Sequence, residues 1–203
     1  MDRKPYHHGD LRNALIEATL KLVRERGARG FSVSETARRA GVSTSAPYRH
    51  FADRDAMLAA AAEVGFQELE TRFDQLTTGQ SFGDHAAQIS VLYLRFALER
   101  PARFEVMFAS GIDRERHPEM LHRAESVQRC LEDTLRPYLE GQDLAECSAQ
   151  LWALAHGVAA LATEGALQHF IGGQGFETIA ENAARAWSAG VPKVSVDRTL
   201  DVI

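Results

Sequence analysis

Residues 41–51 read GVSTSAPYRHF. Gly41 supplies the backbone freedom of a tight turn. Pro47 suits the first turn of a helix, where its missing N–H had no intrahelical partner anyway. Ser43 or Thr44 can cap the donors just ahead of it. The spacing predicts a short helix over residues 44–51 that presents Tyr48, Arg49 and His50 side by side. A core helix has little use for three polar tips in a row. The segment reads as one that touches something outside the protein.

Working outward, the pattern around this turn is helical on both sides. Leu11, Leu15, Ala18, Leu22 and Val23 recur at a helical period. Asp10 reads as an N-cap and Gly27 as a stop, which predicts a first helix over 10–26. Phe31 and Val33 lead into Ser34, which is read as the cap of a second helix ending near Ala40. Ala37, Val42 and Phe51 are spaced to pack this pair against the first helix, the layout of a helix-turn-helix. Asp53 then caps a long helix over 54–76, with Met57, Leu58, Ala61, Val64, Leu69 and Phe73 on its buried side.

Beyond TTGQSFGD (77–84) the pattern predicts helices over 84–99, 101–109, 117–139, 143–171 and 175–189. Pro101 and Pro118 fit first-turn positions, while Gly111, Gly141 and the run Gly172-Gly173-Gln174-Gly175 mark breaks. No strand-like alternation or Asn-Gly hairpin occurs. The expected fold is all-α: a helix-turn-helix domain (1–54), a connecting helix (55–84), a helical ligand-binding and dimerisation domain (85–189) and a tail (190–203).

Charge is divided unevenly between these parts. Residues 1–54 carry 11 Lys/Arg against 6 Asp/Glu, whereas residues 55–203 carry 12 against 22. A basic head on an acidic body is what a nucleic-acid module joined to another domain shows. No apolar run of membrane-spanning length occurs, and MDRKPYHHGD lacks the apolar stretch of a secretory signal. The two cysteines, Cys130 and Cys147, form neither a disulfide framework nor a zinc pattern. A cytoplasmic protein is expected, without membrane association.

In a helix-turn-helix the second helix enters the major groove. Here Thr44 and Ser45 are short enough to approach bases closely. Tyr48 and His50 have apolar bodies and polar tips that suit phosphates at a groove wall. Arg49 can read guanine or neutralise phosphate. Arg54, at the start of the long helix, and Ser34 complete the set expected to face DNA.

SVSETARRAGVSTSAPYRHFADRDAML (32–58) resembles the DNA-binding domain of the tetracycline-repressor (TetR) family of regulators. The resemblance rests on Ala40-Gly41-Val42-Ser43, Tyr48-Arg49-His50-Phe51, Arg54 and Leu58. Ser45, Pro47 and Thr36 depart from the family pattern, which usually has Gly, a bulky apolar residue and Ile or Leu there. Tyr6-His7-His8-Gly9-Asp10-Leu11 is similar to the entry of the first helix in one branch. The resemblance implies a homodimer on a near-palindromic double-stranded operator, probing two grooves about one DNA turn apart, roughly 34–36 Å.

In the body, Trp152, His156 and Gly157 within LWALAHGVAAL resemble the signature of the WHG-type C-terminal domain, as does RPARFEVMF (100–108). Trp152 and His156 share a helix face by their spacing. The resemblance implies a cavity for a small, largely hydrophobic or aromatic effector, with Tyr93, Phe96, Phe104, Met107, Phe108, Trp152, His156 and Phe170 as its expected wall. The blander reading of each residue is a filled helical core with a hydrogen-bonded histidine. Small residues at Ala155, Ala159, Ala162 and Ala166, and a final stripe of Ile179, Ala183 and Trp187, are expected to form the dimer contact.

The leading expectation is therefore a ligand-responsive transcriptional repressor. The alternative is a small-molecule or metal-binding helical protein without sequence-specific DNA binding. His85, His117, His122, His156 and His169 prompt a search for a metal or acid-base site, but none forms an HExxH pair or a Ser-His-Asp set by spacing. No catalytic residues, metal or cofactor are expected.

Overall fold

The computed structural model describes residues 8–77, 79–109, 111–140, 142–171 and 175–191. Residues 192–203 of the tail expected over 190–203, and the Tyr6-His7 part of the entry to the first helix, lie outside the described residues. Among the described residues the secondary structure is helical throughout: α1 (His8–Gly30), α2 (Val33–Arg39), α3 (Arg54–Phe73), α4 (Phe82–Glu99), α5 (Pro101–Met107), α6 (Pro118–Leu135), α7 (Leu144–Thr163), α8 (Ala166–Ile171) and α9 (Phe176–Gly190). α-Helices occupy the expected regions with shifted ends, except over 44–51 and at a break within 143–171.

The shifts have local causes. α1 begins two residues before Asp10, which is therefore not its cap. Gly27 interrupts α1 with φ 73° and ψ 163°, a conformation L side chains avoid, so the stop read there is a kink followed by one more turn. Ser32, not Ser34, caps α2: its extended backbone lets its hydroxyl accept the Glu35 N–H at 3.3 Å. Ser34 is the second residue of α2, within its first turn, and is exposed. Asp53 caps α3 as read, accepting the Ala56 N–H at 2.8 Å. The single helix expected over 143–171 is divided at Gly165 (φ 76°), where the Glu164 N–H still bonds the Ala160 carbonyl at 2.9 Å.

The chain packs as two compact units. One holds the described residues up to Arg72 together with Phe96–Val127; the other holds Phe73–Arg95 and the described residues from Gln128 onward. This grouping differs from the division expected at 54/55, because α1 packs extensively on α5. The core of the first unit is built from Leu15, Leu22, Val23, Ala37, Phe51, Met57, Leu69, Phe104 and Met107, all buried. Thr36 is fully buried among them; its hydroxyl donates to the Ser32 carbonyl at 3.0 Å, which is how a polar residue is accommodated there.

In the second unit Phe82 stacks on Tyr138 at 5.8 Å and meets Trp187 edge-on at 5.5 Å. Arg95 holds Glu177 of α9 through two hydrogen bonds of 2.7 Å, and Asp84 pairs with Arg185. Ala180 and Ala184 of α9 are sealed, and α9 packs against α7.

Gly65 marks a close approach of α3 to α5. A Cβ there would lie 2.6 Å from the Met107 sulfur and 2.9 Å from its Cγ, and Met107 is itself buried. Overpacking of this kind costs about 1–3 kcal/mol, against about 1 kcal/mol gained when alanine replaces a helical glycine. Gly65→Ala should therefore destabilise the protein by about 1 kcal/mol in urea unfolding. Adding Met107→Ala should make the Gly65→Ala step favourable, and a Gly65→Ala that stabilises on its own would show that Met107 moves aside freely.

Candidate nucleic-acid interface

The reading segment is not the helix expected over 44–51. Residues 44–46 form a turn, closed by the Ala46 N–H on the Ser43 carbonyl at 3.0 Å, and only Pro47–Arg49 make a single 3-10 turn. Proline at the head of this turn has no N–H to extend a helix backward. Two acceptor sites on one carbonyl end it: the N–H groups of His50 and Phe51 both bond the Pro47 oxygen, at 2.9 and 3.0 Å. Ser43 and Ser45 share a hydroxyl–hydroxyl bond of 3.1 Å across the turn.

Burial sorts the segment as a reading surface requires. Pro47 and Phe51 are buried and anchor it. Thr44, Ser45 and Arg49 are exposed, Tyr48 is 58% exposed, and His50 is half-buried. The Tyr48 ring thus stands in solvent, where a phenol gains nothing from packing.

Arg54 has a different position from the one expected of a phosphate contact. Its guanidinium donates to the carbonyls of Ala28 and Phe31, the latter at 3.3 Å, and lies 5.3 Å from the Phe31 ring centre. A side chain occupied in this way fixes the junction of α1 and α2 instead of reaching outward. Arg12 lies similarly over Phe51, at 5.5 Å from the ring centre. The cations on α2 are paired on the surface, Arg39 with Glu25 at 2.6 Å and Arg38 with Glu35. Asp53, besides capping α3, pairs with Arg116 at 2.9 Å. The Ala56 N–H, with Arg116 adding to it, holds the Asp53 carboxyl below the usual carboxylate range.

The expected effector residues fall into both units. In the first, Phe96, Phe104 and Met107 are buried and Phe108 half-buried; Phe108 meets Phe66 edge-on at 6.2 Å and Phe104 at 5.3 Å. In the second, Tyr93 is 2% exposed, and its hydroxyl lies 3.0 Å from His156 Nδ1 while accepting the Trp152 indole N–H at 3.3 Å. An oxygen that accepts from the indole still has its own proton and a second lone pair with which to meet the imidazole. Burial pushes the Tyr93 hydroxyl upward and the His156 imidazole downward from their ordinary values. Both therefore stay neutral at pH 7. Phe170 does not join this wall: it is 85% exposed on α8.

The small-residue stripe read as a dimer contact also needs correction. Ala155, Ala159 and Ala162 are buried within the second unit, so that face of α7 is already covered. Trp152, Ala153 and Leu161 lie on its open side, and Phe170 and Ile171 continue it on α8. Ala166, Ile179, Ala183 and Trp187 are half-buried. Three of the seven residues expected at the contact thus lie on a covered face, because alanines at one period and larger residues at another both form stripes.

His85, expected only as a candidate in a metal or acid-base search, lies in the core of the second unit. It is fully buried and stacked on Tyr138 at 4.9 Å, and its ring nitrogens have no hydrogen-bond partner among the described residues. Burial lowers its pKa, outweighing the nearby carbonyls of Thr77 and Thr134. A histidine kept neutral in the fold takes up protons more readily when unfolded, so acidification favours unfolding. Stability should fall as pH drops below about 6.5. His85→Phe should reduce that slope in thermal melts from pH 7 to 5; an unchanged slope would show that His85 does not contribute.

The same geometry separates surface from scaffold at the interface. Tyr48→Ala should leave stability within about 0.5 kcal/mol of the parent. Arg54→Ala should lower it by about 1–2 kcal/mol, since carbonyls lose a charged donor. Chemical denaturation checks both, and equal effects would contradict this assignment.

Residues 15–61 match the family model of bacterial regulatory proteins of the tetR family, and residues 86–188 match the tetracyclin repressor-like C-terminal domain. Among solved structures, a protein of unknown function from Rhodococcus sp. RHA1 is 25% identical with a TM-score of 0.77, covering 94% of this chain and 100% of its own. PfmR, a TetR family transcriptional regulator from Thermus thermophilus, is 16% identical with a TM-score of 0.64, over 88% of this chain and 99% of that one. The transcriptional regulator FadR from Bacillus subtilis, solved with stearoyl-CoA, is 13% identical with a TM-score of 0.69, over 89% and 99%. These last two likenesses concern the fold. No curated protein sequence matches the chain.

Proposed function

Since the chain belongs to the tetR family of bacterial regulatory proteins, we propose that it acts as a ligand-responsive transcriptional repressor which binds a near-palindromic operator as a homodimer. The observation that carries this reading is the exposed edge of residues 44–50, where short hydroxyls stand beside an outward phenol and an exposed guanidinium. Thr44 and Ser45 approach base edges, Arg49 reads a base or a phosphate, and Tyr48 and His50 take the phosphates of the groove wall. Ser34, exposed within the first turn of α2, is a further backbone contact.

The effector is small and largely apolar or aromatic. Support comes from the Phe104, Met107 and Phe108 group on and just after α5, and from the neutral Tyr93–His156–Trp152 chain, whose polar tips can orient a ligand. That FadR from Bacillus subtilis was solved with stearoyl-CoA agrees with an apolar effector class. The effector shifts DNA affinity only as far as it binds the two conformations differently. The dimer forms through the open sides of α7 and α8, where Trp152, Leu161, Phe170 and Ile171 are exposed.

Selection of duplexes from a random pool, followed by fluorescence anisotropy across a salt series, tests this reading. Affinity should fall steeply with salt as phosphate counterions are released, with two chains per duplex. Tyr48→Ala should weaken every duplex about tenfold or more, whereas Thr44→Ala and Ser45→Ala should change the rank order of selected sites. A folded protein without salt-dependent duplex affinity would overturn the proposal.

A further inference from the structure

Gly27, where α1 kinks, brings the next residue against α5. The Ala28 N–H donates to Glu105 Oε1 at 2.6 Å, and a Cβ on Gly27 would lie only 3.3 Å from the same oxygen. The Ala28 carbonyl is taken from the other side by Arg54, which also donates to Phe31. Both polar groups of one backbone residue are thus held by side chains from two other helices. Arg54 begins α3, directly after the reading segment. Glu105 sits on α5 between Phe104 and Met107, with Phe108 just beyond. All of these residues belong to one compact unit.

We propose that Glu105 is a positioning residue for DNA reading: by accepting the Ala28 N–H it fixes the α1–α2 junction to α5. A change at Phe104, Met107 or Phe108 would then be felt at residues 44–50. The inference rests on the proposed reading that residues 44–50 engage DNA and that α5 senses the effector. After a kink at Gly27 the Ala28 N–H has lost its helical acceptor, and Glu105 is the acceptor that replaces it. A carboxylate bonded to a backbone N–H is a charge-assisted contact, stronger than a neutral one. Movement of α5 would therefore strain the junction or release it. The requirement is for an acceptor oxygen, which glutamine also offers.

Linkage makes the coupling measurable without knowing the effector, because DNA bound at one end must alter α5 at the other if the two are joined. Amide hydrogen exchange of residues 103–109 is followed with and without saturating duplex, using a sequence selected as above, in the parent, Glu105→Gln and Glu105→Ala. Parent and Glu105→Gln should show slowed exchange in α5 on adding duplex. Glu105→Ala should lose that response and bind duplex about fivefold to tenfold more weakly, the scale of one such hydrogen bond. Circular dichroism checks that Glu105→Ala keeps the parent's helical content; a variant that unfolds is replaced by Glu105→Ser, for which the same loss is expected. Parent protein that binds duplex with no change in α5 would overturn this inference while leaving the DNA-binding reading intact. Parent protein that binds no duplex would overturn that reading itself. A Glu105→Gln that behaves like Glu105→Ala would overturn the acceptor role.

Discussion

The angle at which α1 delivers the chain to α2 depends on how the backbone of Ala28 is satisfied. A kink strands an N–H and a carbonyl in a region with little access to water, and each must find a partner. Glu105 and Arg54 supply them from opposite sides. The turn that follows, the cap at Ser32 and the buried Phe31 and Phe51 are placed relative to this junction. The α1–α2 junction is thus held by two side chains, of which Glu105 lies far outside the helix-turn-helix in sequence.

This arrangement also explains why Arg54 is not the outward cation that its position in the motif implies. A guanidinium that donates to two carbonyls and rests on an aromatic face is held toward the α1–α2 junction. In the proposed reading, DNA contact then falls mainly on residues 44–50. There the backbone adopts a turn and a single 3-10 helix instead of a longer α-helix, because Pro47 cannot donate and both following N–H groups close on its carbonyl. A short turn keeps Tyr48 outside while Pro47 and Phe51 hold it from within.

The body shows a similar division between fixed and open faces. α7 turns Ala155, Ala159 and Ala162 inward, where small side chains allow close helix packing. Its larger Trp152 and Leu161 remain open, as does Phe170 on α8. Trp152 has two functions at once: its indole N–H completes the Tyr93–His156 chain, while part of its ring stays at the surface. Burial disfavours the charged forms of His85 and His156 in this unit, so acid works against the fold through both.

Local signals carried the all-α architecture a long way. Apolar period, the Asp53 cap, and the breaks at Gly27 and before Pro101 and Pro118 each act within a few residues, and a linear chain displays such effects openly. The motif around Tyr48 was legible for the same reason, since a turn glycine, a proline and adjacent polar tips are neighbours. What tertiary structure decided is which of two equivalent stripes faces inward, which serine caps α2, and where each cation points. Those outcomes depend on partners far along the chain, such as Glu105 for Ala28 and Tyr93 for Trp152. Sequence spacing limits the faces a helix can offer, but burial on another helix chooses among them.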